Sequence, residues 1–260
     1  MNDDLFPEEW LQLYMLLIYN EAITTHALST EYHFKVAREL EKAVATGYGG
    51  KFDDFVFGTP EYETAVKLRE SIYSFSAAKQ YQQVRTMSKF IVADDGIKST
   101  FKDFTTLADK VFTEYNKNYL KTEYNTAIGQ GQNAREWTRA VKEKKTFPVL
   151  EYRTQRDSHV RDEHAILHGI KRPVTDPFWN TYHPKNGWNC RCFVVQHEQT
   201  EVTDLTKMDL SALNDEKKFP PVFRMNLGKD GIIFNPKSHP YFKVAHGDGG
   251  FKKENFGLPK

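Results

Sequence analysis

Residues 147–154 have the sequence Phe-Pro-Val-Leu-Glu-Tyr-Arg-Thr, and they directly follow a run of charged and polar residues. The β-branched and aromatic content of this segment predicts a β-strand. A similar segment, Cys192-Phe193-Val194-Val195-Gln196, predicts a second strand. Residues 161–168 between them predict a short helix that ends at Gly169, and a loop punctuated by proline and glycine follows. We therefore predict a compact strand-helix-loop-strand module.

The chain before this module has the period of amphipathic helices. From Pro7 to about Ala45 apolar residues recur at spacings of three and four, which predicts helix. Thr59 can cap a further helix that has Pro60 in its first turn and runs past Phe75. After a break at 94–96, helical spacing resumes at 101.

These patterns predict an α+β protein with three parts. Residues 1–145 form a mostly helical N-terminal region, and residues 146–200 form the strand-helix-loop-strand module. Residues 201–260, which are rich in proline and glycine, form an irregular, extended C-terminal tail that packs on the module.

Composition excludes several classes of protein. The chain has 260 residues, of which 39% are hydrophobic, and a mean hydropathy of −0.65. There is no apolar run long enough for a membrane span, and the N-terminal sequence lacks the order of a signal peptide, so we expect neither secretion nor a membrane partner. The only cysteines, Cys190 and Cys192, are too close for an unstrained disulfide.

Charge is distributed unevenly along the chain. Residues 1–137 carry 15 Lys and Arg against 20 Asp and Glu, a net charge of −5, whereas residues 138–260 carry 21 against 15, a net charge of +6. Two interpretations remain open. The two parts have different partners, or their surfaces complement each other in the fold.

The module also contains the residues best suited to bind a metal. Cys190 and Cys192 can supply two thiolates on one face of a strand, and one or two of His164, His168 and His183 can complete a tetrahedral zinc site, with His164 and His183 the preferred ligands. Zinc is the one cofactor that this pattern suggests. The alternative is that both cysteines are buried small hydrophobic residues and that His164 is a hydrogen-bonded core histidine.

Two further interpretations concern catalysis and nucleic acid. His164, Asp157, Cys190 and Cys192 could serve a small enzyme that acts on nucleic acid or a nucleotide, although the general-base glutamate of a zinc protease is missing. Basic side chains interleaved with aromatic rings could contact DNA, or the rings could simply pack the loop. The candidate DNA contacts are Arg156, Lys171, Arg172 and Lys185.

Three ordered blocks of the module resemble a known family. They are the segment from Arg153 to Gly169 with the core Asp157-Ser158-His159-Val160-Arg161-Asp162-Glu163-His164, then Asp176-Pro177-Phe178-Trp179, then Pro184-Lys185-Asn186-Gly187-Trp188-Asn189-Cys190-Arg191-Cys192. Together they resemble the signature of the phage Mu F-like head morphogenesis proteins, also called minor head proteins. The resemblance covers about residues 110–200.

The resemblance implies a non-catalytic protein of the virion. Such a protein would join portal and capsid or scaffold proteins during head assembly in the bacterial cytoplasm, remain inside the head, and in some members contact phage DNA. Residues at the recurrent positions of the family would have a structural role here. They are Arg153, Asp157, Arg161, His164, Gly169, Trp179, Pro184, Gly187, Trp188, Cys190, Arg191 and Cys192.

Overall fold

A computed structural model describes residues 5–243 and 256–258. It confirms the predicted α+β class, with long helices in the first half of the chain and one small sheet in the second. The helices are α1 (Glu8–Tyr19), α2 (Thr30–Tyr48), α3 (Pro60–Met87), α4 (Phe101–Thr113), α5 (Leu120–Glu143), α6 (Asp162–Ala165), α7 (Trp179–Tyr182) and α8 (Leu227–Asp230), and the strands are β1 (Val149–Arg153), β2 (Lys171–Pro173) and β3 (Phe193–His197).

Short 3-10 turns and one π-helical segment complete the structure of the described residues. The π-helix, Glu114–Tyr119, joins α4 to α5 without a break in the helical path. The 3-10 turns are Phe52–Asp54, Ser88–Phe90, Leu205–Lys207, Ser211–Asn214, Pro221–Phe223 and Pro240–Phe242. No helix in the described part of the chain is long and apolar enough to cross a membrane.

The helix boundaries follow local capping signals. Thr59 accepts a hydrogen bond from the Tyr62 backbone N–H at 3.2 Å, so α3 begins where the sequence predicts. The prediction of one helix from Pro7 to about Ala45 is wrong, because α1 ends at Tyr19. Glu21 has φ +57°, a left-handed conformation that stops a helix, and the side-chain oxygen of Ser29 then accepts from the Tyr32 N–H at the start of α2.

The three strands form an antiparallel sheet in the order β2-β1-β3. Val149 of β1 pairs with Pro173 on one side and His197 on the other. Sequence analysis predicted β1 and β3 but placed β2 in the loop, because a three-residue strand with two basic residues carries no apolar alternation.

The contacts divide the chain into two compact units. Unit 1 comprises the described residues of Met1–Glu41, Ile72–Tyr124 and His239–Lys260, and unit 2 comprises Lys42–Ser71 and Asn125–Ser238. The predicted boundaries near residues 145 and 200 divide the chain differently, and they stay a prediction.

Each unit has its own core. In unit 1 the rings of Trp10, Tyr14 and Tyr32 stack, with centroids 5.0 Å and 5.3 Å apart for successive rings. In unit 2 one face of the sheet packs on α7 and on the loops around it. This core contains Ala140, Leu150, Tyr152, Leu167, Ile170, Val174, Phe178, Trp179, Cys190, Cys192, Leu213 and Phe219.

Candidate metal centre

His164 reaches the core of unit 2 through a single turn of helix. The chain leaves β1, passes through an exposed loop and forms α6, in which His164 is buried. Gly169 then reverses the chain with φ +84°, and its N–H donates to the Tyr152 carbonyl at 2.8 Å. A left-handed residue is required there, so glycine suits the position. The short helix is thereby held against the end of β1.

The two cysteines lie on the segment that leads into β3. Asn189 has φ +53°, and its N–H donates to the Thr126 hydroxyl at 3.1 Å. The Cys190 N–H donates to the Gly187 carbonyl at 3.1 Å. These two hydrogen bonds fix the direction in which the chain enters β3. The side chains of both cysteines are buried.

His164, Cys190 and Cys192 converge. Nδ1 of His164 lies 3.6 Å from Sγ of Cys190 and 3.7 Å from Sγ of Cys192. The three candidate ligand atoms all lie within 4.8 Å of one another. Arg191, between the cysteines, points outward and forms an ion pair with Asp157 at 2.7 Å. The two cysteines therefore share a face, as the one-residue spacing predicts.

The protonation of the thiols is strongly coupled. A hydrogen bond with Cys192, followed by the interaction with His164, lowers the pKa of Cys190 well below its ordinary value. The same bond with Cys190, together with burial, raises the pKa of Cys192. The interactions of the pair therefore make ionisation easier at Cys190 than at Cys192.

The ring of His164 is also held from other sides. Phe219 contacts it edge to face, with centroids 6.0 Å apart. A Cβ at Gly187 would lie 3.5 Å from Cε1 of His164 and 3.1 Å from Nη1 of Arg161, so the loop approaches this ring closely at a glycine. Nε2 of His164 is buried and has no hydrogen-bond partner among the described residues.

His183 lies outside this cluster. Its ring is completely buried between Trp137 and Trp179, with centroids 5.1 Å and 5.9 Å away, and its Nδ1 lies 3.0 Å from the Pro184 carbonyl. Burial lowers the pKa of His183 to about 3. Sequence analysis counted it as a ligand, but the loop carries its side chain into the core of unit 2 instead.

The remaining signature residues support the backbone around the cluster. Arg161 donates to the Trp188 carbonyl at 2.8 Å, so Asp157 pairs with Arg191 and not with Arg161. Nε1 of Trp179 donates to the Pro173 carbonyl at 2.9 Å. Arg153 forms an ion pair with Glu151 at 2.9 Å. The contacts of Arg161, Asp157 and Trp179 join separate segments of unit 2, whereas the Arg153–Glu151 pair lies within β1.

Three of the four candidate DNA contacts are at least partly withdrawn from solvent. Lys185 is buried, and Arg172 forms an ion pair with Asp176 and donates to the Thr203 carbonyl. Nζ of Lys171 donates to the Thr200 hydroxyl at 3.3 Å. Arg156 is exposed, and its Nε donates to the ring of His168 at 2.9 Å.

Asn186 and Glu151 are buried polar residues of unit 2 that the sequence patterns did not indicate. Asn186 accepts a hydrogen bond from the Tyr152 hydroxyl at 3.1 Å, and its Nδ2 donates to the carbonyls of Thr181, His183 and Phe223. Glu151 is buried between Arg153 and His197. Burial opposes ionisation there, but the bonds from His197 and Arg153 outweigh it and lower the pKa of Glu151. The position of the Glu151 carboxylate within a predicted strand could have indicated that this residue is buried and paired.

Two cavities border the cluster. A small one of about 20 Å³ is lined by His164, Cys190 and Cys192, and also by His159 and Arg161. A larger, open groove of about 510 Å³ is lined by Cys190 but not by His164. Asp157 lines neither of them.

The segment that contains this cluster is similar to known proteins. The family model for phage Mu protein F like proteins matches residues 67–195, a segment that contains His164, Cys190 and Cys192. The resemblance to the Mu F-like family is confirmed. The matched segment begins within α3, farther toward the N-terminus than the signature blocks indicated.

Two curated relatives agree with the family match. The chain is 36% identical over 75 residues to the putative capsid assembly protein F of Escherichia phage Mu, an alignment that covers 29% of this chain and 17% of that protein. It is 43% identical over 47 residues to the Mu-like prophage FluMu F protein of Haemophilus influenzae, an alignment that covers 18% of this chain and 11% of that protein. The chain thus matches less than a fifth of either relative's length. No solved structure gives a significant match to this chain.

Proposed function

We propose that this protein is a minor head protein that acts in phage or prophage head morphogenesis without catalysing a reaction. In this proposal it binds the portal and other capsid or scaffold proteins while heads assemble in the bacterial cytoplasm. It then remains inside the head. The match of residues 67–195 to the Mu F-like family supports this assignment, as does the name of the phage Mu relative, a putative capsid assembly protein.

The observation that carries the non-catalytic part is the burial of His164, Cys190 and Cys192. An enzyme needs its nucleophile and base at the surface of a cleft that holds substrate. Here the cavity that all three line has about 20 Å³, which is room for about one water molecule. Asp157, the fourth member of the alternative catalytic cluster, forms an ion pair with Arg191 on the surface.

Deletion of the gene from an inducible prophage tests the assembly role. We expect purified wild-type particles to contain the protein, and we expect the deletion to lower the yield of filled heads. Affinity purification during assembly should recover the portal protein. Particles of normal number and content without this chain would contradict the proposal.

Asp157→Asn separates assembly from catalysis in the same system. Because Asp157 and Arg191 form a surface ion pair, which contributes little to stability, we expect its loss to leave folding and head yield unchanged. Loss of head production, in a variant that folds like the wild type, would instead support the enzyme that uses His164, Asp157 and the two cysteines.

Contact with packaged DNA is the second part of the proposal. It rests on the net charge of +6 carried by residues 138–260 and on the exposure of Arg156. Fluorescence anisotropy with a labelled duplex should show weak binding whose affinity falls as salt concentration rises. Arg156→Ala should weaken it, and an absence of binding at low salt would contradict this part.

A further inference from the structure

The two nitrogen-to-sulfur distances in the cluster of His164, Cys190 and Cys192 match those of a tetrahedral zinc site. Zinc binds sulfur at about 2.3 Å and imidazole nitrogen at about 2.0–2.1 Å, so tetrahedral angles place nitrogen and sulfur about 3.6 Å apart. The two observed separations from Nδ1 are 3.6 Å and 3.7 Å. We propose that His164, Cys190 and Cys192 bind one Zn²⁺ ion.

The position of one imidazole nitrogen beside two sulfurs suits a cation that all three atoms share. Both sulfurs face the same ring nitrogen, Nδ1 of His164. A neutral imidazole nitrogen has either one lone pair or one proton, so it makes one good hydrogen bond and not two. A metal ion bonded to all three atoms removes this competition.

The charge of the cluster also suits a divalent cation. Two thiolates carry a charge of −2, which a Zn²⁺ ion neutralises, and His164 binds in its neutral form. The complex therefore has no net charge in a site where all three ligand residues are less than a tenth exposed. Sulfur and imidazole nitrogen are the donors that zinc takes in structural sites.

The ligands are held in place by contacts that do not involve a metal. The hydrogen bonds from Asn189 to Thr126 and from Cys190 to Gly187 fix the cysteine segment. The ring of Phe219 packs against the imidazole of His164. Such a pre-arranged site binds a metal ion without a large loss of conformational freedom.

The cavity of about 20 Å³ offers a place for a fourth ligand. That cavity is lined by all three ligands, and its volume holds about one water molecule, which can complete the tetrahedron. His183 does not take this position, because its ring packs between Trp137 and Trp179. The proposed ion joins α6 to the segment before β3.

Elemental analysis of protein purified without chelator from zinc-supplemented cells is the first test. We expect about one zinc ion per chain, and loss of that zinc in Cys192→Ser and in His164→Asn. His183→Gln is the matched control, since it replaces a buried histidine outside the cluster and should keep its zinc. Far-ultraviolet circular dichroism identifies the variants that fold.

Measurements on the wild-type chain keep the test independent of how the variants fold. Cobalt substitution should produce the absorption of thiolate-to-metal charge transfer, and bound zinc should protect both cysteines from alkylation until a chelator is added. A chain that carries no metal, with alkylation unaffected by added zinc, would overturn the proposal. Stoichiometric iron, or loss of zinc from a folded His183→Gln variant, would also overturn it as stated. All these readouts use the isolated chain, so they are separate from the assembly assays.

Discussion

Nζ of Lys79 lies 2.7 Å from Oε2 of Glu123, and both side chains are almost completely buried in unit 1. The other carboxylate oxygen, Oε1, accepts a hydrogen bond from the Tyr241 hydroxyl at 2.9 Å. Burial lowers the pKa of Lys79, and the interaction with Glu123 opposes this shift. The buried ion pair therefore joins α3 to α5, and the hydrogen bond from Tyr241 connects the 3-10 turn Pro240–Phe242 to the same carboxylate.

Lys79→Met should destabilise the protein by about 3–5 kcal/mol, because it leaves the Glu123 carboxylate buried without its cation. Adding Glu123→Leu should recover much of that loss, since the uncompensated charge is then gone. Glu31→Gln, which removes a more exposed pair with Lys35, should cost less than about 1 kcal/mol. Urea unfolding measures all three. Equal, small effects for Lys79→Met and Glu31→Gln would show that the buried pair contributes little.

Stability should fall as pH decreases from 6.5 toward 3 because of His239. Burial, with a smaller contribution from Lys79, lowers the pKa of His239 from 6.5 to about 3, and its Nδ1 accepts from the Tyr241 N–H at 3.2 Å. The unfolded chain binds a proton near pH 6.5 and the folded chain does not. The stabilisation is therefore complete above 6.5 and decreases by about 1.4 kcal/mol per pH unit below it.

His239→Asn provides the control for this pH dependence. An asparagine oxygen can accept the same backbone hydrogen bond, and it does not titrate. The free energy of unfolding, followed by urea titration from pH 7 to pH 4, should have a shallower slope in this variant. An unchanged slope would show that other groups cause the acid sensitivity.

Gly131→Ala should destabilise unit 2 severely. A Cβ at Gly131 would lie 2.2 Å from the Val44 carbonyl oxygen, and one at Gly47 would lie 1.9 Å from the Ile128 carbonyl oxygen, so the parts of α2 and α5 within unit 2 cross at two glycines. Backbone atoms cannot move aside as a flexible side chain does. We expect a loss of at least about 2 kcal/mol, despite the gain of up to about 1 kcal/mol in helix propensity.

Gly129→Ala is the matched control for the crossing. It lies in the same helix, but the atoms nearest to its Cβ would be Lys185 side-chain carbons at 3.3 Å and the Cys190 carbonyl oxygen at 3.7 Å. We expect it to be neutral or to stabilise the protein by up to about 1 kcal/mol. Thermal unfolding distinguishes the two variants. Similar melting temperatures would contradict the close approach of α2 and α5.

Asn186→Ala should cost at least about 2 kcal/mol. The substitution removes the hydrogen-bond partner of the Tyr152 hydroxyl and of the His183 and Phe223 carbonyls, all of which lie in the interior of unit 2. Asn180→Ala is the control, because Asn180 is exposed and bonds to Lys229 at the surface, and its loss should cost less than about 0.5 kcal/mol. Chemical denaturation of both variants provides the comparison. A cost for Asn186→Ala as small as that of the control would contradict this account of its hydrogen bonds.

Local patterns in the sequence predicted much of the fold. Thr59 and Pro60 mark the start of α3, and the segments 147–154 and 192–196 predicted β1 and β3 because strand residues and turn residues are local signals. The break within 20–29 was missed, since the left-handed conformation of Glu21 depends on how the chain packs there. β2 was missed because its pairing with β1 defines it, and its own residues do not.

Residue types and their spacing identify the groups that can bind a metal, namely the thiols and imidazoles of residues 164–192, and they place Cys190 and Cys192 on one face. Neither residue type nor spacing shows that His164 meets both cysteines while His183 packs between two tryptophans. Side-chain spacing along a strand or helix fixes a direction over a few residues, whereas contacts between residues 164 and 190 depend on how the intervening loop folds around Asn186 and Gly187.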